Sequence, residues 1–182
     1  LEPRRAVYLS STCNELRTAT EALLQQLRAD HEAAAALCLK VGLRSCKELR
    51  EAKMVDWYKQ GLSVADLETL GTLGTVLPAL ETLCLSEPAA GPDGMQRLAA
   101  GLGVGALPAV TYLNFSSTHV GDAGALALAA ALGRGALPRL TSLSLNCAAI
   151  GDAGLVALAL VLRRRPTLKF ICLSSNPLGD EG

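Results

Sequence analysis

Aromatic residues make up only 3% of this 182-residue chain, and charged residues only 19%. With so few aromatics, Leu and Ala must build any core. Half of the residues are hydrophobic, which excludes an intrinsically disordered chain. Seventeen basic residues balance seventeen acidic ones, so no global field draws the protein to nucleic acid or to an anionic membrane. There are two histidines, His31 and His119, and neither stands beside a Cys or Ser arranged as a nucleophile. The six cysteines, Cys13, Cys38, Cys46, Cys84, Cys147 and Cys172, form no CxxC pair and no zinc-finger spacing, so neither a metal site nor a cofactor is expected. Their scatter predicts free thiols in a reducing, intracellular compartment, with a disulfide among the three N-terminal ones left open. No run reaches the roughly 18 apolar residues of a membrane span; the most apolar stretch, Ala123 to Leu132, is closed by Gly133. No GxxxxGK[ST] and no strand-linked GxGxxG is present, so nucleotide binding has no support. The sequence opens on Leu1, without an initiator Met or a targeting peptide. Processing of a longer precursor, including removal of an organelle-import segment, stays open.

What the chain does have is internal repetition. Leu80, Val110, Leu140 and Leu168 fall in one column, each followed three and five residues later by apolar residues: Leu83 and Leu85, Leu113 and Phe115, Leu143 and Leu145, Ile171 and Leu173. Ten residues after the first column come Ala90, Val120, Ile150 and Leu178, and then a Gly-rich turn such as Gly121-Asp-Ala-Gly124 or Gly151-Asp-Ala-Gly154. A helical half repeats as well, with Met95, Leu98 and Leu102, then Ala125, Leu128 and Leu132, then Leu155, Leu158 and Leu162. A fainter unit, with Val55, Trp57, Leu67 and Leu70 in the same columns, lies upstream.

Alternating LxL is a short strand whose leucines share one face, and leucines at i, i+3 and i+7 make one stripe of a helix. Neither element can bury its apolar face alone, so the units must stack and share a core. Proline in each Leu-Pro-x-Leu or Leu-Pro-x-Val junction stops the helix. Asp122 and Asp152 stand where a helix N-cap belongs.

An LxxLxL strand followed by an IGDAGxxALAxxL helix resembles the leucine-rich repeats of the ribonuclease-inhibitor-like class, over Ala52 to Gly182. The resemblance implies an α/β solenoid, curved, with short parallel strands on the concave face and helices on the convex face. The units run 52–79, 80–109, 110–139 and 140–167, with a partial unit at 168–182. The family's loop Asn or Cys falls on Pro88, Thr118, Ala148 and Asn176, so only the last fits, and the other loops must satisfy their backbone groups otherwise, water being the expected route.

Residues 1–51 do not repeat. Leu16, Leu23, Leu24 and Leu27 predict an amphipathic helix from about Cys13 to Arg28; a second, Ala-rich helix is expected over 30–41; and Ser45-Cys-Lys-Glu48 has the form of a capping box. These elements read as a helical N-terminal cap over the first unit, or as an independent module. At the far end, a half-unit without its helix would expose Leu173 and Leu178, implying a longer protein or a partner on that edge.

Two surfaces are candidates for binding. On the concave face the outward columns are Met54, Thr82, Tyr112, Ser142 and Phe170; Asp56, Cys84, Asn114, Ser144 and Cys172; and Tyr58, Ser86, Ser116, Asn146 and Ser174. Of these, Asp56, Tyr58, Tyr112, Asn114, Asn146 and Phe170 are the expected contact residues, with the three aromatics as anchors; the alternative is a solvated sheet face. On the convex face, Ala127, Ala130, Ala131, Ala157, Leu160 and Val161 stand where a free surface would carry charge. They read either as an interface or as small residues allowing close packing. Asp122, Asp152 and Asp180 share a column that helix capping explains better than a cation. Arg163-Arg164-Arg165, at a helix end, suits the macrodipole or, in a second reading, an acidic or phosphate-bearing partner.

The resulting expectation is a non-catalytic protein-interaction module, a scaffold or accessory subunit of a larger, multi-subunit assembly, with protein partners and no indicated small-molecule ligand or nucleic acid. The resemblance also allows the sensor part of a longer regulatory or immune-type receptor, or a GTPase-activating module, although no finger arginine or acidic segment is identified for the latter. A subunit peripheral to a membrane complex in an organelle is the alternative location.

Overall fold

The five strand segments read from the columns become strands, and each of the first four is followed by the helix whose stripe it needs. The computed structural model describes the backbone of residues 3–86 and 91–179 and the side chains of 15–86 and 91–179. Pro88, Ala90, Asp180 and the Cys13 side chain, all named above, lie outside these. Two helices come first, α1 (Pro3–Lys40) and α2 (Cys46–Glu51). Then strands and helices alternate: β1 (Met54–Tyr58), α3 (Val64–Leu73), β2 (Thr82–Ser86), α4 (Gly91–Gly101), β3 (Tyr112–Asn114), α5 (Gly121–Gly133), β4 (Ser142–Ser144), α6 (Asp152–Leu162) and β5 (Phe170–Cys172). The five strands form one parallel sheet in chain order. Met54, Thr82, Tyr112, Ser142 and Phe170 pair across it, as do Asp56, Cys84, Asn114, Ser144 and Cys172. The alternate residues, from Val55 through Leu83 and Leu113 to Leu143, are buried against Leu67, Leu98, Leu128 and Leu158 of the helices.

In the later units several helix ends are closed by neighbouring units. The cap expected at Asp122 is made, but on the next helix. Its Oδ1 accepts from Gly151 N at 2.7 Å and Gly154 N at 3.0 Å, at the start of α6, whereas α5 has no side-chain cap of its own. Asp152 accepts from Gly179 N in the same way. At the other ends the direction reverses. Arg134 Nη2 donates to Ala99 O and Leu102 O at the end of α4. Arg165 donates to Leu132 O in the last turn of α5 and to Ala136 O and Leu137 O in the loop after it. This answers half of the macrodipole reading of the arginine run, since Arg165 serves the preceding helix while Arg163 and Arg164 stay exposed.

The described loops that lack the family Asn, at Thr118 and Ala148, close through protein groups. Asn176 Oδ1 accepts from Ala148 N and Ile150 N, and its Nδ2 donates to Leu145 O and Leu173 O, so one residue serves two units. Thr118, buried, donates to Phe115 O. Among the described residues no buried side-chain N or O lacks a partner.

The two helices expected at the N-terminus are one. Gln26 donates to Asp30 across the expected break, and α1 continues to Lys40. Ala34, Leu37 and Cys38 of α1 and Leu49 of α2 are buried beside Val55 and Trp57, while residues 15–33 of α1 are exposed, Leu16, Leu23, Leu24 and Leu27 among them. The Ser45 cap forms, although Glu48 returns to Arg44 N rather than Ser45 N. Lys40 Nζ lies 2.6 Å from Asp66 Oδ2 on α3. Burial pushes the Asp66 carboxyl up, but the bonds from Lys40 and Ser63 outweigh it and leave the group below its usual range. The Cys38 thiol, 3.9 Å from Cys46 Sγ, is pushed up to about 11 by burial and by that neighbour. At the opposite end Ile171 is 41% exposed where its equivalent Leu143 is 1% exposed; Leu178 is exposed and Leu173 half-buried.

Helices α3 and α4 touch backbone to backbone. A Cβ on Gly101 would stand 2.8 Å from the Gly71 carbonyl carbon, whereas one on Gly133, at the end of α5, would meet only Val161 Cγ2 at 4.0 Å. Ala is the better helix former by roughly 1 kcal/mol, but overpacking costs about 1–3 kcal/mol. Gly101→Ala is therefore expected to destabilise and Gly133→Ala to stabilise by roughly 0.5–1 kcal/mol, read as opposite shifts of the urea midpoint. Equal shifts for the two would contradict this packing.

Candidate functional site

Parallel pairing in register turns each outward column into a row across the sheet face opposite the helices. The first row alternates large and small: Met54, Thr82, Tyr112, Ser142, Phe170. With strands about 4.8 Å apart, the bulky members stand roughly 10 Å from one another and leave shallow depressions over Thr82 and Ser142. Phe170 and Met54 are each 67% exposed, Tyr58 is 59% and Tyr112 is 37%. Met54, left out of the expected contact residues, is as exposed as Phe170 in the same row; its place at the head of the aromatic column was the available signal. Lys59 Nζ lies 5.1 Å from the Tyr58 ring centre, a cation–π contact that steadies this end of the face.

The two asparagines expected as contacts are occupied. Asn114 Oδ1 accepts from Ser116 N at 2.9 Å. Asn146 Oδ1 accepts from Ser174 N and its Nδ2 donates to Ser144 Oγ. Ser116 and Ser144 hydroxyls lie 3.0 Å apart. The small polar groups thus bind the strands' continuing loops to one another, leaving Asp56, Tyr112 and Phe170, with Met54, as the uncommitted side chains, beside Tyr58 under Lys59.

The helical face needs correction. Ala131 is fully buried, and Ala127, Ala157 and Val161 are half-buried against the core. Each helix has a neighbour on both flanks, so burial spreads beyond the single stripe and into the grooves between helices. Ala130 and Leu160 are exposed as expected, and the outermost apolar side chains include Leu126 and Val156, which the stripe argument missed. Gly133, Pro138, Leu160, Val161, Arg164 and Arg165 line a pocket of about 420 Å³ between the ends of α5 and α6. Among the described residues no group of three or more His, Cys, Asp or Glu is placed to hold a metal, and no helix is long and apolar enough to cross a membrane.

Cys38, Cys46, Cys84, Cys147 and Cys172 are free thiols. Cys84, beside Asp56 and Asn114 in its row, is raised above the ordinary thiol range by burial first and by the Asp56 charge second, against a bond to Asn114. Only the thiolate alkylates. At about pH 8, iodoacetamide should therefore label Cys84 well behind exposed Cys147, and Asp56→Asn should narrow the gap without closing it. Peptide mass mapping over a time course checks this; equal rates in the parent chain would contradict it.

The family model for Leucine Rich repeat matches residues 107–129 and 137–159. These spans run from the end of α4's loop through β3 into α5 and from the next loop through β4 into α6. No curated protein matches the sequence. The matched segments contain the strand, the Gly-Asp-Ala-Gly turn and most of the helix of two consecutive units, and the strands on either side pair with them in the same register. Residues 107–129 and 137–159 are leucine-rich repeats.

Proposed function

We propose that this chain is a non-catalytic protein-interaction module, a scaffold or accessory subunit whose sheet face holds a partner in a larger assembly. The observation that carries the reading is the first row of that face. Bulky side chains alternate with hydroxyl-bearing ones, and the neighbouring polar groups are committed to one another and do not compete for a ligand. Aromatic anchors supply contact area at small entropic cost. A partner strand or loop can seat apolar side chains over Thr82 and Ser142 between them. The burial of Ala34, Leu37, Cys38 and Leu49 beside the first strand supports a role for the N-terminal segment as a cap on a solenoid. The free thiols support a reducing compartment.

The test is native mass in a gentle extract, followed by the same measurement on face variants. The chain should migrate far above its own 18.9 kDa, in company with a defined set of proteins. With the purified partner, Tyr112→Ala or Phe170→Ala should each weaken binding by about 1–3 kcal/mol. Migration as a lone 18.9 kDa species, or affinity indifferent to both substitutions, would overturn the reading.

A further inference from the structure

The chain is neutral as a whole, but its charge is segregated. Residues 94–179 contain seven basic residues and only two acidic ones, Asp122 and Asp152, and both of these accept backbone N–H groups of the next unit. Because the strands are parallel and in register, every helix-to-strand loop lies along the same edge of the molecule. In the last two such loops Arg134, Arg139, Arg163, Arg164 and Lys169 are exposed. Arg134 is tied to the end of α4. The side chains of Arg139, Arg163, Arg164 and Lys169 make no hydrogen bond or ion pair with any described residue. Four unpaired cations on one edge, with no free carboxylate in the same stretch, form a positive field that is local and is hidden by the zero net charge.

The pocket of about 420 Å³ opens in the midst of this edge. Its lining joins buried Leu132, half-buried Val161 and exposed Leu160 to Arg164 and Arg165. Arg139 follows the lining Pro138 directly and Arg163 precedes the lining Arg164. A pocket lined by apolar side chains and arginines together suits an apolar side chain flanked by carboxylates, since guanidinium groups bind carboxylates in two-pronged fashion. A nucleic-acid backbone has no use for the leucines, and a membrane-inserting surface presents protruding apolar side chains rather than a recess.

We propose that this edge, between the C-terminal ends of α5 and α6, is a second docking site that takes an acidic protein segment bearing an apolar anchor residue. The inference rests on the reading of the chain as an interaction module and adds the chemistry of one partner segment.

The probe is a fluorescein-labelled peptide with one leucine flanked on each side by two aspartates, titrated against the full chain by anisotropy. The control replaces each aspartate with lysine. The acidic peptide should bind at least about tenfold tighter than the control and should weaken as salt rises from about 50 to about 300 mM. Arg163→Glu with Arg164→Glu, and separately Leu160→Asp, should each cost about tenfold in affinity. All three positions are exposed, so unchanged thermal melting by circular dichroism will show that the variants fold. Equal binding of the two peptides, or indifference to these substitutions, overturns the proposal. Association with phosphatidylserine vesicles but not with the acidic peptide overturns it in favour of a membrane surface. A chain that comigrates with a large assembly through its sheet face but fails the titration loses this site alone; one that binds the acidic peptide but migrates by itself loses the scaffold reading and keeps this site.

Discussion

No helix described within the last two repeats is closed at both ends by its own unit. The start of α6 is held by Asp122 of the unit before, and the end of α5 by Arg165 of the unit after. A helix leaves four N–H and four C=O groups unsatisfied, and burying any of these unpaired costs about 1–3 kcal/mol. The obligation here passes between repeats in both directions. An isolated unit would lose both its apolar partner and its caps, so stacking is required by polar bonds as much as by leucines. The glycines follow from the same constraint. A Cβ on Gly154 would stand 2.6 Å from Asp122 Oδ1, so the carboxylate can reach the helix start only where there is no side chain.

This division of labour leaves the two broad faces chemically distinct. The sheet face uses its small polar residues to join strands and loops, with Asn114, Asn146 and Ser144 all engaged internally. Its large side chains do no such work and stand exposed. On the helical side, small residues let backbones approach, at Gly71 and Gly101 most closely, and the apolar surface that remains is narrower than composition alone suggests. Most of the charge in residues 94–179 lies at the edge where helices return to strands, the exceptions being Arg97 within α4 and Asp122 and Asp152 at helix starts.

The strand register was legible from the columns alone, since side chains alternate with period two and a 28- or 30-residue offset preserves that phase. The core residues and the aromatic row followed directly. What was not legible depends on neighbours in space. Asp122 looks like an N-cap for its own helix, and nothing local says that its carboxylate turns to the next. Ala131 lies on the outer side of an isolated helix, but a helix flanked on both sides buries it. Asp30 reads as a helix start in sequence and is an ordinary helical residue within α1. The pocket at the ends of α5 and α6 combines residues from two units, and only its arginine run announced it.

The most direct test of closure between repeats is amide hydrogen exchange on Asp122→Ala. The account predicts that protection falls at Gly151 and Gly154, in the unit that follows, while the first turn of α5 that carries the substitution keeps its protection. Loss confined to α5 itself, with Gly151 and Gly154 unchanged, would contradict it.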